Sequence, residues 1–355
     1  MISDLLDQLD PNIGILIIGH GSRNIHATKE FAKLADSIKA LIPDNPFEFG
    51  YLEFSRPIIS EALDNLRMKG VSKVIAIPAM LFAAGHAKND IPAVLNSYAN
   101  KTGLEILYGR ELGINNLMIS AAAERIKEAV ISSSDRPLNE MLLVVVGRGS
   151  SDPDANSNVS KITRMLVESL GFGWGETVFS GVTFPLVEPG LRHLVKLGYR
   201  KVIVFPYFLF SGVLVTRIRN YVQLVAQANP QIDFVNASYL GDHPKVIDTF
   251  IERILEVLTG TNTMNCSLCK YRSDLLGFEK EVGLIQSSHH HHVEGIDQAC
   301  HLCEHECTGE CDLNNNSSIQ SHINDHSHSH DLNLYPNAKH PLGPVTLHVS
   351  KEDEI

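Results

Sequence analysis

The chain has 355 residues and a net charge of −11; 44% of the residues are apolar and 20% are charged. This length supports two hydrophobic cores and an extension, in a composition typical of globular proteins. The acidic balance argues against a nucleic-acid partner, and no run of about 18 apolar residues offers a membrane span. Because residues 1–9 are too acidic for a signal peptide, the sequence predicts a cytoplasmic protein.

The first strong pattern is Ile13 to Arg23, in which a β-branched run stops at Gly19 and is followed at once by His20. Such a run is typical of a strand that is buried on both faces of a parallel sheet. Open α/β sheets bind ligands at the carboxyl edge of their strands, which is where His20 would lie. The alternative is a glycine-rich turn whose histidine only caps or packs.

Strands then alternate with helical patterns through the first half, which predicts a doubly wound parallel sheet. Pro57 is expected in the first turn of a helix, where proline is tolerated. The further strands are predicted at residues 47–54, 73–78 and 104–108, and the helices at 24–42, 57–69, 91–98 and 115–130.

The second half repeats this order. Gly147-Arg148-Gly149-Ser150 repeats Gly19-His20-Gly21-Ser22 at a displacement of 128 positions, and residues 198–206 match residues 70–78 at the same displacement. The sequence therefore predicts two tandem duplicated α/β domains, over residues 1–135 and 136–260. The second set of strands is predicted at 141–147, 177–183, 201–208 and 233–238, and the last helix at 243–258.

The two copies differ at chemically important positions. Arg148 stands where the first copy has His20, and alignment of Gly85 with Gly212 places Val213 opposite His86. The same alignment places Arg217 opposite Asp90. Because packing alone would rarely remove both histidines from strand ends, the sequence predicts that His20 and His86 form a site.

Glu53 is the third candidate, because it lies 33 positions after His20 and 33 before His86, about one βα unit each way. Three consecutive strand ends would then bring two imidazoles and a carboxylate to one edge. These groups bind divalent first-row metals, and the carboxylate or a histidine can also accept protons. The alternative for Glu53 is an exposed strand-end carboxylate. Its counterpart is Gly181 in the ungapped alignment, or Thr183 if the alignment contains a gap.

The Gly-His-Gly-Ser-Arg motif, the Ala-Gly-His-Ala-Lys-Asn-Asp-Ile-Pro motif and the degenerate second copy resemble the sirohydrochlorin chelatases of the class II chelatase superfamily. The match is to the long, two-domain CbiX-type form, over about residues 12–260. The resemblance implies a lyase that inserts Co²⁺ or Fe²⁺ into the tetrapyrrole sirohydrochlorin without ATP hydrolysis. The family's metal-binding histidines fall on His20 and His86, and an acidic residue of related chelatases corresponds by spacing to Glu53.

In this interpretation the two histidines hold the metal in a cleft between the halves while the macrocycle loses two pyrrole protons to Glu53 or a histidine. Arg148 or Arg217 would bind substrate carboxylates, since arginine offers a fixed fork of donors; solvated surface arginines are the alternative. The histidine-rich tail favours Co²⁺ and hence cobalamin synthesis. Fe²⁺ and siroheme synthesis are the alternative, and both a monomer and a homo-oligomer fit the sequence.

Residues 261–355 have a different character, rich in cysteine and histidine, and are predicted to be largely disordered until metal binds. The cysteines suit either a [4Fe–4S] cluster or a Zn²⁺ site. A low-complexity tail without selected metal affinity is the alternative, and a metal-storage or chaperone protein that acts through the tail is the competing functional class. The cysteines concerned are Cys266, Cys269, Cys300, Cys303, Cys307 and Cys311.

Overall fold

The structure, a computed structural model, describes residues 9–132 and 136–262. These residues contain two four-stranded sheets in which all pairs of strands are parallel. The strands are β1 (Ile13–Gly19), β2 (Phe47–Tyr51), β3 (Lys73–Pro78), β4 (Glu105–Tyr108), β5 (Met141–Gly147), β6 (Trp174–Phe179), β7 (Lys201–Pro206) and β8 (Asp233–Asn236). The strand order is β2-β1-β3-β4 in the first sheet and β6-β5-β7-β8 in the second.

Helices connect the strands, as the predicted doubly wound α/β fold requires. None of the helices in the described part of the chain has the combined length and apolar character needed to cross a membrane. The α-helices are α1 (Ile25–Lys39), α2 (Ile59–Met68), α3 (Ile91–Thr102), α4 (Asn116–Ile131), α5 (Pro153–Leu170), α6 (Val187–Leu194), α7 (Val213–Ala228) and α8 (Pro244–Thr259).

The central strands explain the hydrophobic runs of the sequence. All seven residues of β1 are buried, and the strand pairs with β2 on one side and with β3 on the other. β5 is buried over its full length in the same way, between β6 and β7. With both faces and both edges covered, such a strand needs apolar residues throughout. The predicted bounds of β1, β3 and β5 are therefore confirmed.

The end of β2 differs from the prediction, which extended the strand to residue 54. The strand stops at Tyr51, and Phe54 has a left-handed backbone with φ of 61°. The expectation that Pro57 lies in the first turn of a helix is also wrong. The Pro57 carbonyl accepts a hydrogen bond from the Tyr51 amide at 2.8 Å, Ile58 has an extended backbone, and α2 begins only at Ile59.

The described residues form two compact units that do not follow the sequence repeat. The first contains residues 9–122, 209–212 and 240–262, and the second contains the others. The predicted domains 1–135 and 136–260 assign the last helix to the second domain. In the structure α8 packs against α1 and β3 of the first unit, because its apolar face completes the cover of the first sheet.

A buried arginine ties α8 to the loop that follows β4. Arg253 is fully buried, and its guanidinium donates hydrogen bonds to the backbone carbonyl oxygens of Glu111 and Leu112. From the same loop, Arg110 donates two hydrogen bonds to the Glu256 carboxylate, at 2.8 and 2.7 Å. Because a buried cation is stable only when it is hydrogen-bonded, these contacts fix α8 on the first unit.

The Glu111 carboxyl lies in this buried region, and its Oε2 atom has no hydrogen-bond partner among the described residues. Burial raises the pKa of Glu111 above its ordinary value of 4.5, although Arg110, Arg253 and Lys88 act in the opposite direction. The folded protein therefore binds this proton more tightly than the unfolded chain. As the pH rises above 4.5, ionisation of Glu111 costs folding stability.

We expect Glu111→Gln to remove this pH dependence. The urea midpoint of the variant should rise relative to that of the unaltered protein between about pH 5 and about pH 8, because only the glutamate has to ionise in a buried position. Glu128→Gln, on the exposed surface of α4, is the matched control. The difference between its urea midpoint and that of the unaltered protein should be the same at both pH values. A Glu111→Gln difference that shrinks towards pH 8 would contradict this account.

Candidate metal centre

Three consecutive strand ends of the first unit carry the three candidate side chains. His20 directly follows β1, and Glu53 lies two residues after the last residue of β2. His86 begins a π-helical turn, His86–Asp90, which leads from the loop after β3 into α3. Because parallel strands end at the same edge of a sheet, all three reach one place. The π-helical turn is a rare element that is often found at functional sites.

The structure brings the three side chains together. One ligand atom from each of His20, Glu53 and His86 can be chosen such that all three atoms lie within 4.8 Å of one another. The two imidazole rings meet edge to face, with centroids 4.7 Å apart and planes at 81°. Glu53 is buried, whereas the side chains of His20 and His86 are 25% and 16% exposed. A metal ion can therefore reach the cluster from the side of the histidines.

The ring of His86 is oriented by a buried carboxylate. Its Nδ1 atom lies 2.7 Å from Oδ2 of Asp90, which is fully buried. A carboxylate only accepts, so in the neutral ring Nδ1 carries the proton and Nε2 carries the lone pair that can bind a metal. Asn89 Nδ2 donates to the other Asp90 oxygen at 3.0 Å. This is the arrangement by which proteins fix the orientation of metal-binding histidines.

The contacts of His20 favour a cation beside Glu53. His20 Nδ1 lies 3.1 Å from the Gly21 carbonyl oxygen, which only accepts, so Nδ1 donates and Nε2 has the lone pair. This Nε2 faces Oε1 of Glu53 at 3.2 Å. Two lone pairs at this distance repel one another, and a proton or a metal ion bound to both atoms removes the repulsion. The donor set therefore suits a divalent cation.

Backbone contacts hold the first two loops in register. The Glu53 amide donates to the His20 carbonyl oxygen at 3.0 Å. Gly21 has φ of 94°, and a Cβ atom at this position would overlap the carbonyl oxygen of Glu53. Ser22 and Ser55 add reciprocal hydrogen bonds, from the Ser22 amide to Ser55 Oγ and from Ser55 Oγ to the Ser22 carbonyl oxygen. The loops that carry His20 and Glu53 are thus fixed to each other.

The corresponding edge of the second unit keeps the backbone and lacks the ligands. Gly149 has φ of 87°, and a Cβ atom there would overlap the carbonyl oxygen of Gly181. In the first unit, a Cβ atom at Gly21 would overlap the carbonyl oxygen of Glu53 in the same way. Gly181 is therefore the counterpart of Glu53, and the alternative of Thr183 is excluded. Within the described residues, His20, Glu53 and His86 form the only group of three potential metal ligands.

The other predicted site residues belong to the second unit or lie outside the described residues. Arg148 is exposed directly after β5, and Arg217 is exposed near the start of α7; both belong to the second unit. Cys266, Cys269, Cys300, Cys303, Cys307 and Cys311, which were predicted to hold a cluster or Zn²⁺, lie outside the described residues.

Asp90 is the residue whose role sequence reasoning missed. The sequence comparison singled it out only as the position opposite Arg217. Its spacing of four residues from His86 is the available signal, because residues at this spacing lie on one side of a helical turn. The burial of Lys88, Asn89 and Asp90 in succession is visible only in the structure.

Comparisons with known proteins identify relatives that share this fold. The model of the CbiX family matches residues 14–129 and again residues 142–257. The sirohydrochlorin cobaltochelatase of Priestia megaterium is 37% identical over 74% of this chain and 85% of its own length. The sirohydrochlorin ferrochelatase of Bacillus subtilis is 31% identical over 68% of this chain and 90% of its own. The solved structure of SirB from Bacillus subtilis with Fe³⁺ superposes with a TM-score of 0.63 at 30% identity, covering 71% of this chain and 99% of that one.

Proposed function

The chain belongs to the CbiX family, and we propose that it is a sirohydrochlorin cobaltochelatase that inserts Co²⁺ into sirohydrochlorin without ATP hydrolysis. The observation that carries the proposal is the cluster of His20, Glu53 and His86 at the ligand-binding edge of the first sheet. The second unit repeats the fold without these ligands. The cluster is therefore not a by-product of the fold and has a separate chemical role.

A site with three protein ligands suits a metal ion that is transferred to the substrate. Structural metal sites are closed by four protein ligands, whereas sites that react keep positions open. His20 Nε2, His86 Nε2 and a Glu53 oxygen would hold the substrate ion from one side and leave its other side to the pyrrole nitrogens. Because the histidines are partly exposed and Glu53 is buried, the macrocycle would approach the ion from the side of the histidines.

Charge balance defines the rest of the mechanism. Entry of a divalent ion displaces two protons from the pyrrole nitrogens, and the product carries the metal in their place. Glu53 is the proposed acceptor of one proton and His20 or His86 of the other, because each of these groups would regain a free lone pair once the ring nitrogens hold the ion. Arg148 and Arg217 are proposed to bind carboxylates of the substrate, since both are exposed arginines at the carboxyl edge of the second sheet.

The assignment of Co²⁺ rests on similarity, because imidazole and carboxylate ligands accept both Co²⁺ and Fe²⁺. Of the two relatives described above, the cobaltochelatase has the higher identity and matches more of the chain. The proposed reaction thus belongs to cobalamin synthesis. Insertion of Fe²⁺ for siroheme synthesis is the second candidate, and the relative from Bacillus subtilis supports it.

The test is anaerobic metal insertion followed by the visible absorption of sirohydrochlorin. The purified protein is mixed with sirohydrochlorin, Co²⁺ or Fe²⁺ is added separately, and each rate is compared with that of the protein-free mixture. We expect acceleration with both ions and the higher kcat/KM with Co²⁺. A higher kcat/KM with Fe²⁺ would make the protein a ferrochelatase, and no acceleration with either ion would overturn the proposal.

Asp90→Asn tests the orientation of His86. The asparagine keeps the shape of the side chain and loses the negative charge that faces Nδ1, so the KM for Co²⁺ should rise about 10- to 100-fold. Asp36→Asn, at an exposed position of α1, is the matched control and should leave this KM unchanged. An unchanged KM in Asp90→Asn would show that the carboxylate does not support metal binding.

A further inference from the structure

Arg23 lies three residues after His20, and its guanidinium group is stacked on an aromatic ring. Its Cζ atom lies over the ring of Phe54, 5.1 Å from the ring centroid, within the range of a cation–π contact. The His20 imidazole stacks on the same ring, with centroids 6.2 Å apart and planes at 29°. Phe54 therefore links a proposed metal ligand to an arginine at the rim of the metal centre.

Among the residues that the structure describes, the charge of Arg23 has no acidic partner. The side chain is exposed, and it forms no ion pair with any carboxylate of residues 9–132 or 136–262. The chain has 41 acidic and 30 basic side chains, and arginines such as Arg56 and Arg110 do pair with glutamates. Stacking uses the face of the guanidinium plane, whereas its N–H donors lie at the edge, where they can bind a carboxylate through two parallel hydrogen bonds.

Comparison with the second unit shows which features of this loop belong to the repeated fold and which occur only beside the metal centre. Val182, the counterpart of Phe54, also has a left-handed backbone, with φ of 68°. A β-branched residue is disfavoured in this conformation, so the strained loop belongs to the repeated fold and not to the aromatic side chain. Ser151 stands in the place of Arg23. The stacked pair of Arg23 and Phe54 thus occurs in the copy that has the metal ligands and is absent from the copy without them.

The position of Arg23 is fixed on both sides. Ser22 is joined to Ser55 by reciprocal hydrogen bonds, and Ser22 Oγ accepts from the Asn24 amide at 3.0 Å. Asn24 in turn caps α1 by accepting from the His26 amide. An anchored arginine loses little freedom when it binds a ligand, and this favours a role in recognition.

We propose that Arg23, held on Phe54, binds a peripheral carboxylate of the tetrapyrrole and thereby positions the macrocycle over the metal centre. The inference rests on the proposed function, because the carboxylate belongs to the proposed substrate. Because Arg23 lies beside His20, a tetrapyrrole bound through this carboxylate would lie next to the metal ion. Arg23 is thus a specificity-determining residue of the first unit, distinct from Arg148 and Arg217 of the second.

The test measures binding of metal-free sirohydrochlorin by absorption titration, so that metal insertion does not enter. Arg23→Gln should raise the Kd about 10- to 100-fold, since it removes a charge-assisted pair of hydrogen bonds. Arg23→Lys keeps the positive charge and loses the forked pair of donors, so its Kd should lie between that of the unaltered protein and that of Arg23→Gln. Phe54→Leu should also weaken binding, because it removes the ring on which the guanidinium rests. Arg67→Gln, an exposed arginine in the last turn of α2 at the opposite edge of the sheet, should leave the Kd within about twofold.

The KM for Co²⁺ in the insertion assay is the second readout and should stay unchanged in Arg23→Gln. An unchanged Kd for sirohydrochlorin in this variant would overturn the inference and leave the proposed function standing. A loss of Co²⁺ affinity equal to the loss of sirohydrochlorin affinity would also overturn it, since Arg23 would then support the metal ligands. If the unaltered protein fails to bind sirohydrochlorin at all, the proposed function itself fails.

Discussion

His20→Ala and His86→Ala are each expected to lower the rate of Co²⁺ insertion into sirohydrochlorin at least about 100-fold, with the fold retained. Loss of a residue that only supports a metal ligand typically costs 10- to 100-fold, so removal of a ligand itself should cost no less. The fold should survive because both side chains are partly exposed, His20 in the loop after β1 and His86 at the start of the π-helical turn, and they contribute little to the core. The measurements are the insertion rate and the thermal unfolding midpoint.

His26→Ala is the matched control for these variants, because His26 is an exposed histidine of α1 only six residues after His20. It should insert Co²⁺ at the rate of the unaltered protein. If His20→Ala kept near-full activity while folded, the assignment of the metal centre would be wrong. If both active-site variants unfolded at the assay temperature, the loss of activity would reflect stability, and the claim that the histidines are dispensable for the fold would be refuted.

Gly21→Ala is expected to have the largest effect on the architecture of the site. The residue has φ of 94°, which is unfavourable for alanine, and its new Cβ atom would overlap the carbonyl oxygen of Glu53. The loop that carries His20 must then move away from the loop that carries Glu53. We expect a loss of unfolding free energy of about 2–3 kcal/mol, and an insertion rate that falls with the separation of the two ligands.

Gly70→Ala separates the two causes of this effect. Gly70 also has a positive φ, of 86°, but a Cβ atom there would meet nothing within 4 Å. This control should lose only the conformational part, about 1 kcal/mol, and keep its full insertion rate. Equal losses of stability in the two variants, with activity kept in both, would show that the close approach of Gly21 to Glu53 does not hold the site together.

The central strands could be predicted from the sequence because their surroundings are uniform. β1, β3 and β5 are buried on both faces, and an apolar run that stops at glycine or proline reports this directly. The end of β2 could not be found in this way. Leu52 is buried and Phe54 partly buried, and they continue the pattern of the strand, but the backbone has already turned at Phe54. Side-chain polarity carries no information on such a turn.

The packing of α8 was also beyond the sequence, for a different reason. Its apolar face predicts that the helix is buried, but it does not say which of two similar sheets provides the partner. The ion pair of Arg110 with Glu256 joins residues 146 positions apart, and the buried hydrogen bonds of Arg253 span a similar distance. Contacts of this kind join residues far apart in the sequence, and residue spacing does not predict them.

For the site, the repeat itself provided the strongest signal. The replacement of His20 by Arg148 within an otherwise matching motif indicated which copy carries the chemistry. In the structure, the ligand atoms of His20, Glu53 and His86 lie within 4.8 Å of one another. Their roles remain predictions. The part played by Asp90 and the stacking of Arg23 on Phe54 depend on side-chain directions, which residue spacing does not determine.

The most direct test of the central claim is an anomalous difference map from crystals of the full chain grown with Co²⁺. We expect one peak about 2.1 Å from His20 Nε2, from His86 Nε2 and from a carboxylate oxygen of Glu53. No peak should occur at the corresponding edge of the second unit, beside Arg148 and Gly181. A protein that accelerates insertion but shows no cobalt between these three residues, or that binds it at the second edge instead, would contradict the account.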